Sequence, residues 1–445
     1  MLIEFTVNNW MSYNQETKFT MIGTSERQHQ ERVAKVSKFG KSFKILPFCT
    51  IFGGNASGKS NFFEGLNFVK KIVTQPLALE STINTKPFKL NSKSSLAPSN
   101  FVISMLIGEF IYEYSFSLNV NQVFSEKLVK INSNSDYELF NRCFVAESKT
   151  YKYSYCEQLN QNKNKDLKNK LRVISEGTPK NRLFLTNTVH QQLDVFLDVY
   201  NWFNNKLEIV APTAQFQLFE HFFNENSDLH IRVNEMLSML DTGVIKLGFD
   251  RSSINNITNE KIKNWIRSSL SKYKSIKFTD AENQRCIASM SDTGEVVVDK
   301  MVTYHKDDQG EELKFDIHDE SEGTRRLIDL LPIMLNAIQE LSNKVYVVDE
   351  IERSLNTLLT KKLMEIYFQK CNPSSRTQLI VSTHDLFLMD QDMIRRDEMW
   401  ISERKKNGCS FLYPLSNFKD VRYDKDIRKS YLQGKLGGVP KTPSF

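Results

Sequence analysis

The feature that most constrains this chain is Gly53-Gly54-Asn55-Ala56-Ser57-Gly58-Lys59-Ser60, which matches the phosphate-loop pattern G-x-x-x-x-G-K-[ST]. Glycines let the backbone curl around an anion and aim several N–H groups at it, at a helix N-terminus whose dipole also favours negative charge. Such a loop needs a strand before it and a helix after it, and both are legible. The apolar run Ile45 to Phe52 precedes the loop, and Phe62, Leu66, Val69 and Val73 recur at helical spacing behind it. In that setting Lys59 reaches terminal phosphates and the Ser60 hydroxyl ligates magnesium. An ordinary glycine-rich turn is the competing reading, and the flanking strand and helix weigh against it.

Two further strand ends carry chemistry. Val345-Tyr346-Val347-Val348-Asp349-Glu350 reads as a buried strand delivering two carboxylates, which alternation points to opposite faces and therefore to different roles. Beside a nucleotide, Asp349 would hold magnesium through water while Glu350 orients and polarises the attacking water. Thr377 to Thr383 reads as the next strand and ends in Ser382-Thr383-His384-Asp385, where a neutral imidazole could bond the terminal phosphate and the same water. A helical stretch from Leu355 to about Cys371 lies between the two strands. Strand, crossover helix and strand make the unit of a parallel sheet, with ligands at the carboxyl ends. Asp319 to Arg326 precedes an apolar helix. Ser321 is either simply its N-cap or, with Gly323, a phosphate sensor that closes on nucleotide held by another subunit.

Elsewhere, Leu2 to Val7 reads as an opening strand, and Phe101 to Val129 as antiparallel strands or hairpins. The basic stretch Gln158 to Arg182, with Lys163, Lys165, Lys168, Lys170, Arg172, Lys180 and Arg182, is a solvated face or a nucleic-acid contact. Thr188 to Leu240 has helical spacing and is read as an inserted lobe. With 40% hydrophobic and 25% charged residues over 445 positions, wholesale disorder is excluded. No apolar run approaches the roughly 20 residues of a membrane span, and Glu4 and Asn8-Asn9 interrupt any leader, so a soluble protein is expected. Six scattered cysteines without a C-x-x-C pair argue against zinc and disulfides and suit a reducing cytoplasm. A net charge of +6 permits phosphate-bearing partners without requiring them.

The order of these elements resembles the ABC-type ATPase head shared by SMC, RecF and double-strand-break repair ATPases. The start Asn9-Trp10-Met11-Ser12-Tyr13 is similar to the N-F-[RK]-S-F opening of that group. Asp349 to Leu355, Ser382 to Asp385 and Tyr431-Leu432-Gln433-Gly434 resemble bacterial ATPases of the OLD and AbiL group, which includes the AriA ATPase of the PARIS anti-phage system. The resemblance implies an α/β ATPase head with a mixed, largely parallel sheet, an antiparallel β subdomain and an inserted helical lobe. It divides as 1–185 (phosphate loop and β subdomain), 186–300 (mainly helical lobe) and 301–445 (Ser321, the Asp349-Glu350 strand and His384). It implies ATP and magnesium as cofactors and an ATP-linked homodimer or higher homo-oligomer. Two subunits would sandwich ATP between one loop and the other's Ser321 region.

The role expected is control of a bacterial anti-phage system through a separate nuclease or toxin. A RecF-like DNA clamp is the alternative, and nucleic acid is a possible partner on either reading. Three departures stand out. Met11 replaces a basic residue near the nucleotide, the sensor lacks the full L-S-G-G-Q sequence, and Asn356 replaces an aspartate that usually follows the Asp-Glu pair. Gln75 is a guess at the glutamine loop. Asp390-x-Asp392 is the one tempting metal pair for a nuclease, with too few residues after it for such a domain, so intrinsic nuclease activity is not expected.

Overall fold

Aromatic and β-branched residues alternate with polar ones through much of the first half of the chain, and strands result. The computed structural model describes residues 1–38, 41–132, 136–156, 159, 165–212, 228–240, 242–280, 285–291, 293–336, 343–418 and 426–438. In chain order the first strands are β1 (Leu2–Asn8), β2 (Thr17–Thr20), β3 (Ala34–Lys38), β4 (Lys41–Ile45) and β5 (Phe48–Phe52). Helix α1 (Lys59–Thr74) follows, then β6 (Ser99–Ile107), β7 (Phe110–Leu118), β8 (Val123–Ile131), β9 (Tyr137–Val145), β10 (Thr150–Tyr155) and β11 (Leu207–Val210). Next come β12 (Lys246–Ser253), β13 (Ser275–Thr279), β14 (Arg285–Met290), β15 (Val296–Lys306) and β16 (Glu312–Asp316). The last four are β17 (Val345–Val348), β18 (Gln378–Thr383), β19 (Met399–Arg404) and β20 (Ser410–Pro414). The architecture is α/β with mixed and antiparallel sheets, as expected.

The chain divides into two compact units. Met1–Pro212, Glu340–Ile351 and Phe368–Phe445 form the first; Thr213–Gln339 and Glu352–Tyr367 form the second. The first unit holds an antiparallel seven-stranded sheet in the order β10-β9-β8-β7-β6-β1-β2. It also holds a six-stranded sheet in the order β11-β17-β18-β5-β19-β20, parallel except where β20 runs back along β19. Helix α1 buries Phe62, Leu66, Val69 and Val73 in one core with residues of both sheets, among them Phe5 and Ile51. Phe5 and Phe19 meet the Phe62 ring edge-on at 5.2 and 5.7 Å. That packing fixes α1, and with it the loop in front of it.

The second unit contains a five-stranded antiparallel sheet, β12-β15-β14-β13 with β16 on β15. A small core of Ile254, Ile266, Ile276, Cys286, Ala288 and Val298 supports it. The segment 186–300, expected to be mainly helical, holds strands as well as helices among its described residues. The helices Phe184–His190, Asp228–Met239 and Glu260–Leu270 share that stretch with β11 to β14 and the start of β15. The expected boundaries at 185/186 and 300/301 fall inside the helix Phe184–His190 and inside β15. The reason is local. The run Val296-Val297-Val298 and Val302-Thr303 is β-branched, and Ile276 alternates with Phe278, so pleated pairing wins over the helical spacing seen upstream.

Candidate functional site

Because β18 pairs with both β17 and β5, the residues just past the carboxyl ends of these three parallel strands converge. The phosphate loop leaves β5 and turns into the 16-residue helix α1, whose N-terminus has no side-chain cap. No side chain caps its first N–H groups, the arrangement that suits an anion at a helix start. Gly58 has φ 117°, in the region that favours glycine, and a Cβ there would run into the Ser410 side chain. A Cβ at Gly53 would lie 2.5 Å from the Ser402 carbonyl oxygen, so the loop must be backbone-thin on that side. Ala56 adopts φ 59° at the exposed tip beside Asn55, and the Ser402 hydroxyl donates to the Ser57 carbonyl at 3.1 Å.

Lys59 is buried, and its ammonium donates to the carbonyls of Gly53 at 2.7 Å and Gly54 at 3.2 Å. It also lies 3.0 Å from His384 Nδ1. An ammonium only donates, so Nδ1 accepts, and a neutral His384 then carries its proton on Nε2. Nε2 is 3.2 Å from Glu350 Oε1, which completes a line from Lys59 through the imidazole to the carboxylate. The Glu350 side chain keeps 30% of its surface open to solvent. Its backbone turns sharply, at φ 50°, which takes the carboxylate out of the strand direction. Ser382 holds this corner: its hydroxyl accepts the Glu350 N–H at 2.9 Å and donates to the Asp349 carboxylate. The Asp349 N–H donates to the Val210 carbonyl at 3.0 Å, so β11 steadies the same corner.

Tests of fit with a magnesium-bound nucleotide rest on these observations. The Ser57 hydroxyl is buried with no hydrogen-bond partner, and the Ser60 hydroxyl is exposed at the first turn of α1. Among the described residues no group of three or more His, Cys, Asp or Glu could hold a metal alone. Ser60 and Asp349 would then hold magnesium only together with phosphate oxygens, the usual manner for that ion. A cavity of about 680 Å³ is lined by Gly54 to Ser57 and by Arg404, Lys405 and Lys406, with Glu403 the one acid on its wall. The donors, the open glycine cradle and the cationic wall fit a polyphosphate.

The structure thus brings together Gly53 to Ser60, Asp349, Glu350 and His384. Ser321 and Gly323 belong to the second unit. There the Ser321 hydroxyl accepts the Thr324 N–H at 3.0 Å and caps the helix Glu322–Asn336. A Cβ on Gly323 would sit 2.6 Å from the Ser354 carbonyl oxygen, so the close backbone approach anticipated there is to this chain's own backbone. Asn356 accepts the Leu359 N–H at 2.8 Å and starts the helix Thr357–Phe368. Gln75 is a correction. It ends α1, roughly 24 Å along the axis from Lys59 at 1.5 Å per residue, and cannot serve this site. In the basic stretch, Lys165, Lys168, Lys170 and Arg172 lie exposed on the helix Lys165–Glu176, and Lys163 lies outside the described residues.

Several supports escaped sequence reading. Ser382 was visible only as a neighbour of His384. Tyr13 donates to the Gly58 carbonyl at 3.1 Å and Trp10 to the Asn61 carbonyl at 2.9 Å, so the Trp10–Tyr13 turn braces the start of α1. Asn61 donates in turn to the Ser12 hydroxyl at 2.8 Å. Met11 contributes its N–H to the Lys86 carbonyl at 2.6 Å. The signal available was the position of this aromatic turn directly after β1.

The family described as "AAA domain, putative AbiEii toxin, Type IV TA system" matches residues 48–390, from β5 past His384. The chain belongs to this family. It therefore carries an AAA ATPase domain spanning the loop, the Asp349-Glu350 strand and the His384 strand. The SMC head domain from Thermotoga maritima is similar over 93% of this chain and 98% of that one, at 13% identity and a TM-score of 0.32, too distant to transfer any property. No curated protein matches the sequence. No helix among the described residues is long and apolar enough to cross a membrane.

Proposed function

We propose that this chain binds and hydrolyses ATP with magnesium, in an ATP-linked dimer, as the control component of a bacterial anti-phage system acting through a separate nuclease or toxin. The observation that carries the enzymatic part is the line Lys59–His384–Glu350 at the ends of three neighbouring parallel strands. The defence context is supported by the family's description, which names an AbiEii toxin and a type IV toxin–antitoxin system. Magnesium, when bound, supplies charge neutralisation for the phosphates. Ser60 and Asp349 are the residues that would hold it.

The chain's own residues do the rest. Lys59 is parked on the Gly53 and Gly54 carbonyls and exchanges them for phosphate oxygens. Glu350, partly exposed and fixed through its N–H on Ser382, accepts the proton of the attacking water. His384, with Nε2–H towards Glu350, orients that carboxylate and loses its Lys59 contact when the ammonium moves. Ser321 acts on nucleotide held by the other subunit, and the Asp390-x-Asp392 pair takes no part.

The experiment is a paired measurement of nucleotide binding and turnover. Lys59→Ala should lose ATP binding; tight binding retained would remove the phosphate-loop assignment. Ser321→Arg should abolish turnover while single-subunit binding persists. Unchanged turnover in Ser321→Arg would dismiss the shared site.

A further inference from the structure

At the amino ends of the parallel strands, opposite the phosphate loop, the first unit has a second cavity of about 350 Å³, within the roughly 300–1,000 Å³ range of small-molecule pockets. Lys206 enters it just before β11, Asn343 just before β17 and Arg376 just before β18. Trp202 and Lys206 bound a five-residue π-helical turn, a rare conformation that recurs at functional sites and here places both residues on the cavity wall.

The charges around this cavity are unevenly settled. Lys70 and Lys344, also beside β11, both pair with Glu208 at 3.3 Å. Lys206 and Arg376 have no carboxylate partner among the described residues; Arg376 donates only to the carbonyls of Pro373 and Ser375. Asp198 is the single acid on the wall, and it is exposed. Both cations lie close to the buried Met1 amine, which burial first, then Arg376 and Lys206, push down to about 5. The field at the cavity is positive.

We propose that this cavity binds a small phosphate monoester, its phosphate held between Lys206 and Arg376. A phosphate monoester carries close to two negative charges near neutral pH, which two unpaired cations match and one carboxylate does not. Guanidinium takes phosphate oxygens in pairs while ammonium adds a point charge. Asn201, Asn205 and Asn343 supply amide donors and acceptors for the hydroxyls of the esterified group, and the Trp202 ring supplies an apolar wall. This site does not depend on the proposed function: it lies at the other end of the sheet and uses none of the same residues.

The test is titration of AMP, inorganic phosphate and adenosine into the full chain carrying Lys59→Ala, so that the phosphate loop does not take the probe. Saturable AMP binding is expected, weakened about tenfold or more by Lys206→Ala with Arg376→Ala and unchanged by Lys344→Ala, whose ammonium is already paired. Inorganic phosphate should compete with AMP. Three results overturn the site: no AMP binding at millimolar concentration, equal binding in the double variant, or adenosine binding as tightly as AMP. Thermal unfolding of each variant confirms that the measured chain is folded, and Arg376→Lys, which keeps the charge but loses the fork, should fall between wild type and the double variant.

Discussion

Glu126 and Glu350 are both glutamates of the first unit at or beside a strand, and both have a nitrogen-bearing partner, yet their surroundings assign them opposite work. Glu126, on β8, is fully buried and spends its oxygens on the Phe184 N–H at 2.5 Å, the Leu185 N–H at 2.9 Å and the Tyr114 hydroxyl at 2.8 Å. Arg142 stands 3.6 Å away, equally buried. Burial pushes the Glu126 carboxyl up, against the pull of Arg142 and these donors. The carboxylate caps the helix Phe184–His190 from a distant strand and locks it to the sheet. Glu350 keeps part of its surface open, sits on a left-handed turn and faces an imidazole. A carboxylate whose acceptors are all taken builds the fold; Glu350, held by its backbone with a face exposed, is the one proposed for chemistry.

The sharpest way to break this contrast is to neutralise each. Glu350→Gln should lower ATP turnover by about 10²–10⁴, the usual contribution of a general base, while stability in urea shifts by no more than about 0.5 kcal/mol. Undiminished turnover would deny Glu350 its role. Glu126→Ala should do the reverse. It strands Arg142 in the core and should cost about 3–5 kcal/mol of unfolding free energy, with turnover per folded molecule retained.

Glu398 refines the comparison. It is buried like Glu126, but its Oε1 has no partner, and it accepts the Arg395 N–H through Oε2 at 3.0 Å with Arg32 at 3.9 Å. Loss of water pushes its carboxyl up to about 7, opposed first by Arg32, with Asp397 adding to the rise. Between the ordinary 4.5 and about 7 the folded chain keeps a proton that the unfolded chain has released. Stability should therefore fall as pH rises through that window, on the order of 3 kcal/mol, and Glu398→Gln should flatten the profile. A pH profile of the wild type that is flat or rises there would refute it. The smallest effect belongs to Ser321→Ala, where loss of the cap should cost about 1 kcal/mol. If turnover falls far more than that loss explains, Ser321 has a second role besides the cap.

Much of the site was legible because it is local. Gly53 to Ser60 is one contiguous loop, and Asp349-Glu350 and His384 follow two short β-branched runs whose crossover helix forces them to be parallel neighbours. The antiparallel strands from Phe101 to Val129 were equally plain from alternation. Strand β11 was not. Leu207–Val210 has 4 residues, lies directly behind a helical and π-helical stretch, and becomes a strand only because β17 offers it a parallel partner. Of the strands in the second unit, β12 was hidden because its partner β15 lies far along the chain, whereas β13, β14 and β15 pair in chain order and were masked by the helical spacing upstream.

By itself the sequence determined the phosphate loop, the two strand ends and the α/β order, since each depends on residues adjacent along the chain. Only the tertiary structure decided that Ser382 serves Asp349 and Glu350 with one hydroxyl, that Lys59 and Glu350 share His384, and that Lys206 and Arg376 meet at one cavity. Those contacts join residues up to 325 positions apart, and no periodicity within a segment encodes which distant side chain will fill a hydrogen bond.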